Sequence, residues 1–119
     1  MDLKTAYDRA VTSLRLNDYE AALSYARRLT EAQPDLPGFF VLQGNVLTRL
    51  GRYDEAERSY RRAVALDPDN PEVCNNLAVL LKLQGRLPEA GSVVERALEY
   101  GQDRPDICYN YANILKLSG

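Results

Sequence analysis

CNNLAVLLKLQG, residues 74–85, and CYNYANILKLSG, residues 108–119, agree at seven of twelve places. Both begin with Cys, carry Asn third and Ala fifth, share Leu-Lys-Leu at places eight to ten, and end in Gly. The two cysteines stand 34 residues apart. The same interval separates Gly51, Gly85 and Gly119, and also Pro37, Pro71 and Pro105. Glu55-Ala56 recurs as Glu89-Ala90, and Arg62-Ala63 as Arg96-Ala97. Ala22 and Arg28 fall on the same register one step earlier, with Asn17 at the glycine place. A fixed period of this length marks a repeat architecture, in which each period is one supersecondary unit. The frame is 3–36, 37–70, 71–104 and a half unit 105–119, a single array over residues 1–119.

Each unit reads as two helices. Cys74, Leu77, Ala78 and Leu81 follow the i, i+3, i+4, i+7 spacing of a helical stripe. Val79, Leu80 and Leu83 add apolar surface on the other side, as expected of a helix packed on more than one face. Pro71 suits a first turn and Gly85 a left-handed stop. Pro88, Ala90, Val93, Val94, Ala97 and Leu98 mark the second helix, and connections this short make the pair antiparallel. Small residues mark close contacts: Ala10, Gly44, Ala78 and Ala112 share one place in the first helices, and Ala22, Ala56 and Ala90 one place in the second. A glycine inside a helix costs about 1 kcal/mol relative to alanine. Gly44 therefore points either to a backbone approached too closely for a methyl group or to a tolerated, neutral glycine.

These residues resemble the tetratricopeptide repeat. The second unit carries the resemblance best, with Phe40, Gly44, Leu47, Gly51, Tyr53, Ala56, Tyr60, Ala63 and Pro68. The third departs at Cys74, Leu87 and Gln102, and the first at Arg9 and Leu29. The resemblance implies an all-α fold, a right-handed α-solenoid of about three and a half repeats and seven helices. It also implies that the first helix of each unit lines a concave groove. On that register the groove candidates are Tyr7, Asp8, Val11 and Arg15; Val41, Leu42, Asn45 and Arg49; Asn75, Asn76, Val79 and Lys82; and Tyr109, Asn110, Asn113 and Lys116.

Asn is a poor interior helix residue. Asn45, Asn76, Asn110 and Asn113 are either solvated on an exposed face or form a row of amides that pairs with the backbone of an extended peptide. The second reading resembles the asparagine-lined groove in the repeat domain of O-linked N-acetylglucosamine transferases, which YANILKLSG particularly resembles. Replacing Asn76 and Asn110 together with Ala is then expected to weaken capture and leave helicity nearly intact. Arg49, Lys82 and Lys116 either form a basic strip favouring acidic peptides or are solvated near helix C-termini, where the helix dipole favours cations. Chaperone-binding members of the family grip a C-terminal carboxylate with cations placed around two Asn. Here Val41, Asp106 and Asn110 occupy those cation places, so the clamp is not expected.

Composition narrows the function. Lys plus Arg is 15 and Asp plus Glu 17, a net charge of -2, without the basic excess of a nucleic-acid binder. No apolar run is long enough for a membrane span, and MDLKTAYDRA has no signal-peptide pattern. With two cysteines and no histidine, a four-ligand zinc site is not expected, nor any other cofactor. Cys74 and Cys108 sit on adjacent packed helices, too far apart for a disulfide. Reduced thiols fit a cytoplasmic location, and Cys108 is expected to be the more exposed.

Repeat arrays need polar outer faces at their ends. Thr5 and Thr12 supply one, standing where later units carry Phe39 and Val46, Val73 and Leu80, and Ile107 and Ile114. The beginning therefore reads as natural. The last helix lacks this adaptation. Ile107, Ala112 and Ile114 are expected to pack back on the third unit, while Cys108, Tyr111 and Leu115 face a missing partner. That pattern suggests the N-terminal piece of a longer protein, or self-association through this face. The leading expectation is a non-catalytic adaptor or scaffold holding a protein or peptide partner. The alternative is a targeting or oligomerisation arm of a larger enzyme, such as a glycosyltransferase or sulfotransferase. No nucleophile–base pair, phosphate loop or metal set points to catalysis within the chain.

Overall fold

A computed structural model describes residues 1–100 and 104–118. Among these it contains seven α-helices: α1 Leu3–Arg15, α2 Tyr19–Ala32, α3 Pro37–Arg49, α4 Tyr53–Leu66, α5 Pro71–Leu83, α6 Leu87–Tyr100 and α7 Pro105–Leu117. The all-α class and the helix–turn–helix pairs expected from the period are present. Gln102 and Gly119 lie outside the described residues. The chain divides into two compact units, Met1–Leu66 and Asp67–Gly119.

The helix ends follow from the residues at them. Proline opens α3, α5 and α7, where its missing N–H leaves no hydrogen bond unmade. Asp2 caps α1 by accepting from the Thr5 N–H at 2.8 Å, and that bond holds its carboxyl below the usual range. Gly51 and Gly85 end α3 and α5 at φ +74° and +76°. The Arg52 N–H then reaches back to the Leu47 carbonyl and the Arg86 N–H to that of Leu81, both at 2.9 Å. This six-residue closure satisfies carbonyls that a helix end otherwise leaves open. Asn17 takes the same backbone conformation at φ 62°, and the Tyr19 hydroxyl donates to its side chain at 3.0 Å. A β-carbon in this region costs about 1–2 kcal/mol, less for Asn than for most residues. Asn17→Ala is therefore expected to lower stability by roughly 1 kcal/mol, and Asn17→Gly to raise it by a few tenths, both readable as opposite shifts in thermal midpoint.

The first unit is built on small residues under large ones. Ala6, Ala10, Ala26, Leu29 and Leu42 form a buried cluster flanked by Leu14, Tyr25 and Phe39. Leu29 occupies a place where the family usually has Ala. It is wholly buried, and Ala6 and Ala10 in the same cluster leave it room. Arg9, the other departure in this unit, is exposed.

Gly44 shows why its place is small. A β-carbon built there would lie 2.5 Å from Cε1 of the Tyr60 ring. That is well inside the 3.5–4.0 Å optimum for carbon contacts. Tyr60 is only 4% exposed, and its hydroxyl donates to Oδ1 of Asn45. Neighbouring residues on α3 thus receive one side chain of α4, Gly44 the ring and Asn45 the hydroxyl. Deeper in the same unit, Thr30 donates to Gln43 Oε1 at 3.0 Å and Gln43 Nε2 donates to Ser59 at 2.8 Å. This bridge joins α2, α3 and α4. Nothing in the periodic pattern pointed to it, because Gln43 falls where Leu77 stands one unit later.

In the second unit the core comprises Val73, Cys74, Leu77, Ala78, Leu80 and Leu81 of α5, Ala90, Val94 and Ala97 of α6, and Ile107 and Ile114 of α7. Ala112 is exposed, contrary to the expectation that it packs inward beside Ile107 and Ile114. Ala10, Gly44 and Ala78, at the same place in earlier helices, are buried. Each of those helices is followed by another that packs on it, whereas α7 is the last helix among the described residues.

Candidate peptide-binding faces

The second unit gathers three of the sequence-predicted groove residues into one network. The Lys82 ammonium donates to Asn110 Oδ1 at 3.0 Å, and Asn110 Nδ2 donates to Asn75 Oδ1 at 2.9 Å. The chain brings together positions 28 and 35 residues apart to do this. Asn110 is 4% exposed, while Asn75 and Lys82 are half-buried. An asparagine buried on a helix face is destabilising unless both ends of its amide are used, and here both are.

The network has a direction. Lysine offers only donors, so Asn110 must turn its oxygen toward Lys82. Its NH2 is then committed to Asn75, and Asn75 must answer with its own oxygen. The N–H groups the network leaves unused are the Asn75 NH2 and the other N–H bonds of the Lys82 ammonium, beside one further lone pair on each amide oxygen. Asn75, Val79 and Lys82 follow one another at i, i+4 and i+7 on α5, hence on one face. Asn76 and Asn113 are half-buried, and among the described residues their side chains have no hydrogen-bond partner. Tyr109 and Lys116 are exposed on α7.

The first unit differs. Tyr7 is exposed, with its ring 6.3 Å from that of Phe39. Val41 is half-buried and Arg49 exposed. Asn45 is half-buried and its oxygen is taken by Tyr60. Asn45 and Asn110 therefore have partners within the fold, where the sequence had suggested amides either solvated or open to a ligand. The double replacement of Asn76 and Asn110 by Ala would also remove a buried side chain, so it does not isolate binding from packing.

Cys74 is buried and Cys108 exposed, and burial pushes the Cys74 thiol up. Leu115 is exposed. Tyr111 is half-buried, and its hydroxyl donates to Glu95 of α6 at 3.1 Å. Among the described residues no cluster of three or more His, Cys, Asp or Glu could hold a metal ion. No helix among them is long and apolar enough to cross a membrane.

Comparison with known proteins agrees with this architecture. Tetratricopeptide repeat family models match residues 7–71 and 47–118. No curated protein matches the chain in sequence. Among the many solved structures similar in fold are these three. The TPR2B domain of yeast Sti1, in a complex with pHsp70, is 13% identical with a TM-score of 0.88, covering 96% of each chain. The second TPR domain of human RPAP3, in complex with the HSP70 peptide SGPTIEEVD, is 19% identical with a TM-score of 0.84, covering 92% of this chain and 91% of that one. The Yersinia enterocolitica type III secretion chaperone SycD, in complex with a peptide of the translocator YopD, is 24% identical with a TM-score of 0.84, covering 97% and 88%. At these identities the likeness establishes the fold.

Proposed function

Because the chain belongs to the tetratricopeptide repeat family, we propose that it is a protein-interaction module that holds an extended peptide segment against its first helices. The single observation that carries this reading is the Lys82–Asn110–Asn75 network. Its unused N–H groups are donors, so its ligand is a segment rich in acceptors: backbone carbonyls flanked by Asp or Glu side chains. Asn76, Asn113, Tyr109 and Lys116 offer further polar contacts in the same unit; in the first unit, taken by itself, the candidate contacts are Tyr7, Asn45 and Arg49 beside the apolar Val41. The peptide SGPTIEEVD held by one similar structure is acidic near its end, which suits the same class of ligand. The mode of capture is different from a chaperone-tail clamp, because Val41 and Asp106 stand where that clamp places cations. The adaptor acts by binding alone, and its setting is the cytoplasm, in keeping with thiol cysteines.

The likeness of YANILKLSG to O-linked N-acetylglucosamine transferase repeats supports an amide-lined groove, and Asn75 and Asn76 are the amides best placed to serve it. The test compares a labelled peptide of alternating Glu and Val with one of alternating Lys and Val by fluorescence anisotropy. The acidic peptide is expected to bind in the micromolar range and to weaken as salt is raised, since exposed charge pairs are screened. Lys82→Met should weaken it about tenfold or more, the scale of a lost charge-assisted hydrogen bond. Equal binding of the two peptides, or full affinity in the Lys82→Met variant, would refute the reading.

A further inference from the structure

A cavity of about 210 Å³ lies among α2, α3 and α4 of the first unit, and none of that unit's groove candidates lines it. Its inner end is polar where the repeat allows it to be apolar. Gln43 and Ser59 line it, and they stand where the third unit carries Leu77 and Val93. An apolar pair thus suits the fold at this place, whereas a buried polar pair costs free energy unless its groups find partners. One group has none. Thr30 donates to Gln43 and Gln43 donates to Ser59, so the row runs toward the cavity. Ser59 is 4% exposed. Its oxygen accepts from Gln43, but among the described residues its O–H has no acceptor.

The outer part of the cavity is cationic. Arg52 holds the Glu55 carboxylate with two hydrogen bonds, at 2.5 and 3.1 Å. Arg27 reaches the same carboxylate only at 3.6 Å, too long for a hydrogen bond. Arg58 has no ion pair or hydrogen bond among the described residues, although its charge is felt at Glu55. Three guanidiniums thus share one carboxylate, and two of them, Arg27 and Arg58, line the cavity. Glu20, whose charge reaches Arg52, does not line it. Phe40 and Leu47 supply an apolar wall, with Arg62 over the Phe40 ring at 5.9 Å.

We propose that this cavity binds a phosphomonoester, its oxygens on Arg27, Arg58 and the Ser59 O–H and its organic stem against Phe40 and Leu47. The match is one of charge and of number. A phosphomonoester brings about two negative charges at neutral pH and three acceptor oxygens. The cavity answers with two guanidiniums and one hydroxyl. A carboxylate brings a single charge and two oxygens. The planar guanidinium fork suits phosphate oxygens taken in pairs. At about 30 Å³ per water the cavity has room for about seven waters, enough for a phosphoryl group and a short stem. The site lies wholly in the first unit and the Lys82–Asn110–Asn75 network wholly in the second.

Isothermal titration calorimetry of the full chain with phenyl phosphate, inorganic phosphate and benzoate is the test. Phenyl phosphate is expected to bind more tightly than inorganic phosphate, which lacks the stem, and at least tenfold more tightly than benzoate, which lacks the second charge. Arg58→Gln should weaken phenyl phosphate about tenfold or more, the loss expected of one charge-assisted hydrogen bond. Arg58→Lys should recover only part of this, because an ammonium has no fork. Arg58 is exposed, so both variants should keep their helicity, which circular dichroism checks. In nitrogen-15-labelled protein the Nε–H signals of Arg27 and Arg58 should move with phenyl phosphate and saturate together. Capped phosphotyrosine identifies the source of the group. Binding as tight as that of phenyl phosphate indicates a phosphorylated side chain, and binding of phenyl phosphate alone a free phosphomonoester; either supports the site. No binding of phenyl phosphate at millimolar concentration would overturn the proposal. So would equal binding of benzoate or inorganic phosphate, or full affinity in Arg58→Gln.

Discussion

Gly44→Val is expected to destabilise the chain by about 3 kcal/mol, the upper end of what overpacking a core costs. Thermal midpoints move by roughly 4–8 °C per kcal/mol in domains of this size class, so the midpoint should fall by about 10 °C or more. The new β-carbon alone would lie within 3.0 Å of three atoms of the Tyr60 ring. The ring cannot simply swing aside, because Tyr60 is buried and its hydroxyl is held by Asn45. Valine adds two methyl groups to that conflict and gains little helix propensity over glycine. Tyr60→Ala alone should cost about 3–5 kcal/mol, as large-to-small changes of buried aromatics do. The double variant should be more stable than the sum of the two losses by roughly 2 kcal/mol, since each relieves the defect left by the other. Urea denaturation of the four proteins in the cycle measures this. Additive losses would mean that Gly44 is not small on account of Tyr60.

Asn110→Ala is expected to cost about 2 kcal/mol by the same measurement. The change removes a nearly buried side chain and two hydrogen bonds, one of them to a charged group. Hydrogen bonds to charged partners contribute about 1.5–3 kcal/mol each. Asn75 and Lys82 are half-buried and recover part of that loss from water. Asn110→Asp behaves differently. Its carboxylate still accepts from Lys82 and obliges Asn75 to turn its NH2 inward. The fold should stay within about 1 kcal/mol of wild type, because the buried charge remains paired and hydrogen-bonded. The Asn75 NH2 is turned inward, however, and its oxygen outward, so the face keeps only the remaining Lys82 N–H donors beside an added negative charge, and acidic-peptide binding should weaken strongly. One position thus separates stability from recognition.

The helices were legible because their signals are local and repeated. Proline at the start, glycine or Asn17 at the turn and the apolar spacing recur at a fixed interval, and each acts within a few residues of itself. Gly44 was legible for the same reason: a costly residue inside a helix requires a close neighbour. The neighbour itself was not legible, because Tyr60 reaches it from another helix and depends on the crossing geometry. Asn110 shows the limit most plainly. Its sequence signal, a polar residue within an apolar run, fits a solvated side chain, a ligand contact and a buried bridge equally well. Only the distances to Asn75 and Lys82 separate these. Ala112 was misplaced because periodicity assigns it the environment of Ala78, and that environment is made by the following helix. Likeness of fold does not carry ligand chemistry either. The similar Sti1 and RPAP3 domains are held with Hsp70 partners, but at 13% and 19% identity the side chains on the equivalent helices differ widely.

The most direct measurement is the side-chain amide spectrum of nitrogen-15-labelled protein titrated with the Glu-Val peptide, for the wild type and for Asn110→Asp. Shifts centred on the Asn75 NH2 that saturate in the wild type and vanish in Asn110→Asp, with both proteins equally folded, are the expected result. An Asn75 signal that stays still while the peptide binds, or identical titrations of the two proteins, would contradict recognition by the donor face of this network.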